Sequence, residues 1–342
     1  MYAVPWLLNP HSHVREDDVL PPLVTLAYEG GARLIGPMPN TRTGLLTGAS
    51  TIAYVDTCRA APRGKNITFI PIVQLTEDTT FAMIDEWVAC GVRDAKVYPK
   101  ARTTGSHLGV TDYYNILPQV RYCGEKGVRV HFHPELPLQH ADNRDAEYLF
   151  VPVMDMFVRG TNTVLIWEHG TDARCIPYWK EWAKTRHFFV TLTAHHLVEN
   201  ETTSYGDTST ACKPPPKTFA DMHGLVGLVS ECHPWVMAGG DDAPHPIGEK
   251  HRIGPCACGA YTAPFLLLLY AHALEDLVRS DRYRVTFERF VHENARVLYG
   301  LSRDHQRVRL DDVPFQIPLE YQAGPWTIRP FWAGRTLNFS FA

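Results

Sequence analysis

The residues able to do chemistry stand at five separated points of the chain. His11-Ser12-His13-Val14-Arg15 closes an apolar run that begins at Val4. Two histidines at i and i+2 on a strand face the same side, so both imidazoles can reach one metal ion. Alone the pair is a weak signal, because 17 histidines in 342 residues produce such spacings by chance. Further candidates strengthen it. Lys96 stands alone in Asp94-Ala95-Lys96-Val97-Tyr98-Pro99. His133 follows the apolar run Val128–Phe132, His169 follows Val164–Trp167, and Asp241 follows Trp235–Ala238 after two glycines. Each has a plain alternative: a hydrogen-bonded structural histidine, a snorkelling lysine, an aspartate capping a helix. Six of them at corresponding strand ends argue for one shared site.

A lysine buried among metal ligands is disfavoured as an ammonium, since burial lowers its pKa and nearby cations repel it. As a neutral amine it can add carbon dioxide. The resulting carbamate carries two oxygens and a negative charge, and can bridge two metals as a carboxylate does. Imidazoles from His11, His13, His133 and His169, N6-carboxylated Lys96 and Asp241 then suit two Zn²⁺ ions. A hydroxide held between such ions is a strong nucleophile near neutral pH. His131 competes with His133, because the two share a face. His133 is preferred, since it lies at the strand end and His131 sits deeper.

What must position these groups is a repeating strand–helix pattern. Strands are expected at Val4–Leu8, Arg33–Pro37, Ile67–Val73, Ala95–Tyr98, Val128–Phe132, Val164–Trp167, Phe188–Leu192 and Trp235–Ala238. Helical stretches are expected at Leu20–Tyr28, Ala49–Arg59, Phe81–Cys90, Tyr113–Lys126, Ala146–Val158, Ala173–Thr185 and Phe219–Ser230, with closing helices at Ala263–Leu277 and Phe287–Leu298. Eight such repeats with nearly all-apolar strands argue for an α/β fold, a (β/α)8 TIM barrel, whose chemistry sits at the C-terminal strand ends. A doubly wound open sheet would carry a Gly-rich turn after its first strand, and none is found. The chain reads as one domain over residues 1–342, with a barrel core over about 4–300. Residues 301–342 form a tail packed on it, with β-like runs at Val308–Leu310 and Thr336–Phe341.

Composition narrows the classes further. A net charge of -4 without a long basic run argues against a nucleic-acid partner. Eight cysteines without regular spacing read as reduced thiols of a cytoplasmic protein. Met1–Leu8 is too short for a signal peptide and lacks a charged start. The longest apolar run, Ala263–Ala273, is too short to cross a bilayer and contains Pro264 and His272, so no membrane partner is expected.

The chain resembles the homodimeric, single-function dihydroorotases of the amidohydrolase superfamily. The resemblance rests on His11-Ser12-His13-Val14-Arg15-Glu16, Met38-Pro39-Asn40, Lys96-Val97-Tyr98-Pro99, Thr103-Thr104, His133-Pro134-Glu135, Glu168-His169, Thr191-Leu192-Thr193-Ala194-His195-His196-Leu197, Asp241-Asp242-Ala243-Pro244-His245 and the ending Pro330-Phe331-Trp332-Ala333-Gly334. It covers essentially the whole chain. It implies that His11, His13 and Asp241 hold one zinc, His133 and His169 the other, and carboxylated Lys96 bridges them. It implies that Asp241 also shuttles a proton and that Arg15, Asn40 and His245 clamp a substrate carboxylate. Thr103 and Thr104 would sit on a mobile loop, and the residue at Cys258 would bind substrate through its backbone. The implied reaction is reversible closure of N-carbamoyl-L-aspartate to L-dihydroorotate in pyrimidine synthesis, in a cytoplasmic homodimer.

Three departures stand out. Asp242 occupies the place of a familiar serine, as a surface turn residue or as a second carboxylate near the site. Cys258 stands where the family usually shows Ala. With Cys256 it lacks a second cysteine pair, so packing is the better reading than a further metal. Trp167, Trp179 and Trp182 read as core rather than a ligand platform. Two other functions stay open. A relative opening a hydantoin, dihydropyrimidine or cyclic imide ring needs no carboxylate clamp. A degenerate barrel serving in assembly would have lost ligands, and none is lost.

Overall fold

The computed structural model describes residues 1–61, 64–303 and 305–342. Its centre is a wall of parallel strands: β1 is Tyr2–Pro5, outside the wall, and the wall itself starts at β2, Leu7–Ser12. It continues with β3 (Ala32–Pro37), β4 (Thr68–Phe69), β5 (Ile72–Leu75), β6 (Asp94–Val97), β7 (Arg129–Phe132), β8 (Leu165–Trp167), β9 (Phe188–Leu192) and β10 (Val236–Ala238). Neighbours pair in parallel in the orders β2-β3-β4 and β5 through β10. β4 and β5 are two halves of one run, parted at Ile70-Pro71, where proline has no N–H for the ladder. Ile70 N–H still donates to Ile35 O at 3.0 Å. Beyond β10, Asp241 N–H donates to His11 O and His13 N–H to Asp242 O, both at 3.0 Å. These bonds join the last strand to the first, as a (β/α)8 barrel requires.

Helices cover the outside: α1 (Leu20–Glu29), α2 (Gly48–Ala60), α3 (Phe81–Ala89), α4 (Leu117–Glu125), α5 (Val151–Gly160), α6 (Ile176–Trp182), a short α7 (Ala194–Val198) and α8 (Phe219–Ser230). Prolines stand in the first turns of α1, α4, α5 and α6. A missing N–H costs nothing there. It also breaks the ladder to the turn before, so α4, α5 and α6 begin three to five residues later than the apolar pattern suggests, behind 3₁₀ turns. Trp167, Trp179 and Trp182 are buried between wall and helices, with Trp167 and Trp179 ring centres 5.6 Å apart.

The expected first strand, Val4–Leu8, is two strands. β1 leaves the barrel and pairs antiparallel with β11 (Arg307–Asp311) of the tail, which also pairs with Ser340–Phe341. An apolar run reports burial and not the partner that buries it. His11 therefore lies within β2 rather than after the strand. The tail's Phe331, Leu337 and Phe339 are buried in the main apolar cluster.

Candidate active site

The six candidate ligands converge at the C-terminal mouth of the barrel. From β2, His11 brings Nε2 to 3.1 Å from Asp241 Oδ1, and Nδ1 to 3.2 Å from Glu168 Oε2. His13, just past the strand, places Nε2 3.2 Å from the same Asp241 oxygen. The ring centres of His11 and His169 are 5.3 Å apart, and those of His133 and His169 4.5 Å. His133 Nε2 lies 2.7 Å from Glu135 Oε2. Lys96 Nζ, on β6, touches Glu168 Oε2. His11, Lys96, His133, His169 and Asp241 are all buried. His131 sits one residue pair deeper, with its nitrogens 2.9 Å from Glu168 and 3.0 Å from Asp94.

Local backbone geometry aims two of these side chains. His169 and Asp241 adopt φ of +42° and +43°, a region that residues with side chains seldom occupy. The surroundings hold them there. His169 N–H donates to Thr191 Oγ1 at 2.9 Å, and Gly240 N–H to Asn9 Oδ1 at 2.7 Å. The chain thereby turns off the strand and sends both side chains inward.

Burial disfavours charge on every imidazole here. It pushes His13 down to about 4 and His169 well below the ordinary histidine value, so the ligand nitrogens are neutral. Burial also pushes the Lys96 ammonium down. On Asp241 burial pushes upward, but the neighbouring His11 and His13 outweigh it and hold the carboxyl well below its usual range.

The donor set fits a metal centre. His11, His13 and Asp241 offer atoms that all lie within 4.8 Å of one another, and so do His11, Glu168 and His169. Both nitrogens of buried His169 lack any hydrogen-bond partner, a costly state for a polar group that nothing coordinates. A third group, His195, His196 and Cys212, differs. There the nitrogens of His196 are taken up by Thr193 Oγ1 at 2.6 Å and Pro214 O at 3.0 Å, although both nitrogens of His195 lack a partner, as those of His169 do.

Beside these ligands opens a cleft of about 410 Å³, lined among others by His13, Arg15, Asn40, Thr104 and His245. Arg15 has φ +58°, and Tyr54 OH donates to its carbonyl at 2.6 Å. Its Nε donates to Pro244 O at 3.0 Å, and Nη2 lies 3.1 Å from His245 Nε2. That nitrogen is also 2.9 Å from Cys258 O. Asn40 Nδ2 donates to Thr104 O at 2.9 Å, and Thr104 Oγ1 to Cys258 O at 3.4 Å. A narrow recess carries the cleft inward to Asp241 along Thr103, Thr104, Lys213 and Cys258. Lys213 went unnoticed in the sequence, where nothing marks it beyond the proline-rich stretch that follows.

Asp242 is a correction to the surface-turn reading. It is buried, accepting from Asn9 Nδ2 at 2.9 Å and Ser12 Oγ at 2.7 Å. It thus ties β2 to the loop after β10, at the seam of the barrel. Cys256 and Cys258 are half-buried and free, lining a surface groove with Cys212 rather than filling a core.

The barrel and the ligand-rich mouth define an amidohydrolase-type α/β enzyme. The chain belongs to the dihydroorotase family. It is 31% identical to the dihydroorotase of Marinobacter nauticus, across 97% of this chain and 96% of that protein. It is likewise 31% identical to that of Alkalilimnicola ehrlichii, across 95% and 94%. The dihydroorotase of Saccharomyces cerevisiae, solved with 5-fluoroorotic acid, superposes with a TM-score of 0.90 at 25% identity, covering 100% of this chain and 99% of that one. An L-hydantoinase from Arthrobacter aurescens shares the fold, with a TM-score of 0.83 at 12% identity over 99% and 82%. No family model matches the chain. Among the described residues, no helix is long and apolar enough to cross a membrane.

Proposed function

We propose that this protein is a zinc-dependent dihydroorotase, interconverting N-carbamoyl-L-aspartate and L-dihydroorotate. The observation that carries the reading is one cleft offering both an imidazole of the ligand group, His13, and a guanidinium, Arg15. In this reading His11, His13 and Asp241 would hold one zinc and His133 and His169 the second, with carboxylated Lys96 as a ligand of the pair. The chemistry such a metal pair supplies when bound is Lewis acidity, which polarises a carbonyl and acidifies water.

The chain's own groups do the rest. Arg15 and Asn40 donate to the ring carboxylate, and His245 holds the Arg15 guanidinium in place. The Cys258 carbonyl faces the ring nitrogens, which carry hydrogens to donate. In ring opening, water adds hydroxide to the amide carbonyl and its proton passes to Asp241. The C–N bond then breaks, and Asp241 returns that proton to the leaving ring nitrogen. Closure is the reverse. Thr103 and Thr104 cover the bound ring. The yeast relative's ligand, 5-fluoroorotic acid, is likewise a ring bearing a carboxylate. We read the chain as a single barrel unit with its tail, working as a cytoplasmic homodimer.

The test is metal analysis of the purified protein, with an assay on dihydroorotate and on uncharged dihydrouracil. Two zinc ions per chain and a preference for dihydroorotate are expected. Preference for the uncharged ring would replace this reading with a dihydropyrimidinase-like one.

A further inference from the structure

We infer that Glu168, His131 and Asp94 form a positioning line through the barrel interior, which sets His11 and Lys96 for metal binding from below. Asp94 and Arg129 open β6 and β7, in register with each other, and Lys96 pairs in register with His131 two residues on. Because alternate residues share a face, all four side chains belong to neighbouring interior layers or their edge. Arg129 Nε and Nη2 donate to the two oxygens of Asp94, at 2.7 and 2.6 Å. Asp94 Oδ1 lies 3.0 Å from His131 Nε2, and His131 Nδ1 lies 2.9 Å from Glu168 Oε1. The other oxygen of Glu168 meets both Lys96 Nζ and, at 3.2 Å, His11 Nδ1. The line therefore starts near the N-terminal rim and ends at two of the six candidate ligands.

Such a line is costly unless it acts. Interior layers of these barrels are ordinarily branched aliphatics. Here Ile166, in register with His131, follows that pattern, and Met237 is likewise buried and apolar. Buried ions cost several kcal/mol each before pairing, and an apolar replacement is often as stable or more so. What the line achieves is orientation. A carboxylate oxygen 3.2 Å from His11 Nδ1 favours the proton on that nitrogen, which leaves Nε2, the atom facing Asp241, free to coordinate. The same oxygen lies against the Lys96 nitrogen, which keeps a hydrogen in both its amine and its carbamate form. Anchored at one end only, Glu168 could swing away. His131, backed by Asp94 and Arg129, holds its second oxygen.

The inference rests on the proposed metal-binding reading. Its test is the double variant Asp94→Ala/His131→Leu, which removes the line between Arg129 and Glu168 with apolar groups. Arg129 is partly exposed and can turn to solvent. Three quantities are measured on wild type and variant: melting temperature, the rate of metal loss to a chelator, and the ¹³C carbamate signal after growth or incubation with ¹³C-bicarbonate. The melting temperature of the chelator-treated proteins reports what leaving Glu168 and Arg129 without these partners costs the fold, and the positioning role requires only that the variant stay folded. That role predicts metal loss at least tenfold faster and a weaker carbamate signal. His131→Asn keeps a donor toward Glu168 and should recover part of the metal retention. Unchanged metal loss and carbamate in the double variant would overturn the line while leaving the metal reading intact. A wild type with neither metal nor carbamate would overturn both. A variant that does not fold is replaced by Asp94→Asn, which keeps the shape and loosens only the far end. Wild-type metal retention there would likewise refute the inference.

Discussion

Removing the Arg15 guanidinium separates the reaction class from the identity of the substrate. Arginine carries five N–H donors. Nε–H is given to Pro244 O, and one Nη2 position faces His245. Arg15 lines the cleft, and its remaining hydrogens are enough for two parallel bonds to a carboxylate there. Breaking a charged contact of that kind in a desolvated site costs roughly 2–5 kcal/mol. At about 1.36 kcal/mol per decade, Arg15→Ala should lower kcat/KM for dihydroorotate by about 30- to 5,000-fold. Dihydrouracil, the same ring without the carboxylate, should lose far less. The quantity to measure is the ratio of the two kcat/KM values on each protein. Any general loss of fold or metal, including the cost of leaving Pro244 O unpaired, divides out of that ratio. Arg15→Lys should recover part of the effect, since it keeps the charge but not the paired geometry. Equal depression of both substrates would refute the clamp and, with it, the assignment of Arg15 as the residue that selects acidic rings.

Three other outcomes are expected. Lys96→Ala should lower zinc content below two per chain together with the rate, and full activity with both ions retained would exclude a bridging role. Asp241→Asn can still present an oxygen but carries no proton, so both reaction directions should slow by at least the ~10²–10⁴-fold typical of acid–base groups. Near wild-type rates would move the proton transfer elsewhere. Glu147, buried beneath Trp167 and Thr171, has its pKa pushed up to about 7 by burial. From pH 4.5 to 7 the folded protein then holds a proton that the unfolded chain releases. The stability due to this group is full below pH 4.5 and is lost as pH rises through 7. Relative to Glu147→Gln, wild type should therefore lose up to roughly 3 kcal/mol across that window. Parallel stability–pH curves for the two proteins would contradict the shift.

Much of the barrel was legible along the chain because its cues are local. Buried parallel strands are short apolar runs, helices repeat with their own period, and chemistry-bearing residues stand where each run stops. That was enough to select His11, His13, Lys96, His133, His169 and Asp241 as candidates, and residue type alone suggested a metal centre. Pairing was not local. The apolar run from Val4 to Leu8 signals burial, yet only the folded chain divides it between the tail's β11 and the barrel's β3. Asp242 read equally as a turn residue or a second carboxylate near the site until closure of the barrel brought it against Asn9 and Ser12, more than 200 positions away. His131 appeared as a rival ligand because spacing gives only a face. Its depth, and the carboxylates of Asp94 and Glu168 on either side, follow from the register of three adjacent strands. Residue types and periods are written in short windows of sequence. Register, closure and the company each buried charge keeps are decided by contacts between distant segments, which exist only once the barrel has formed.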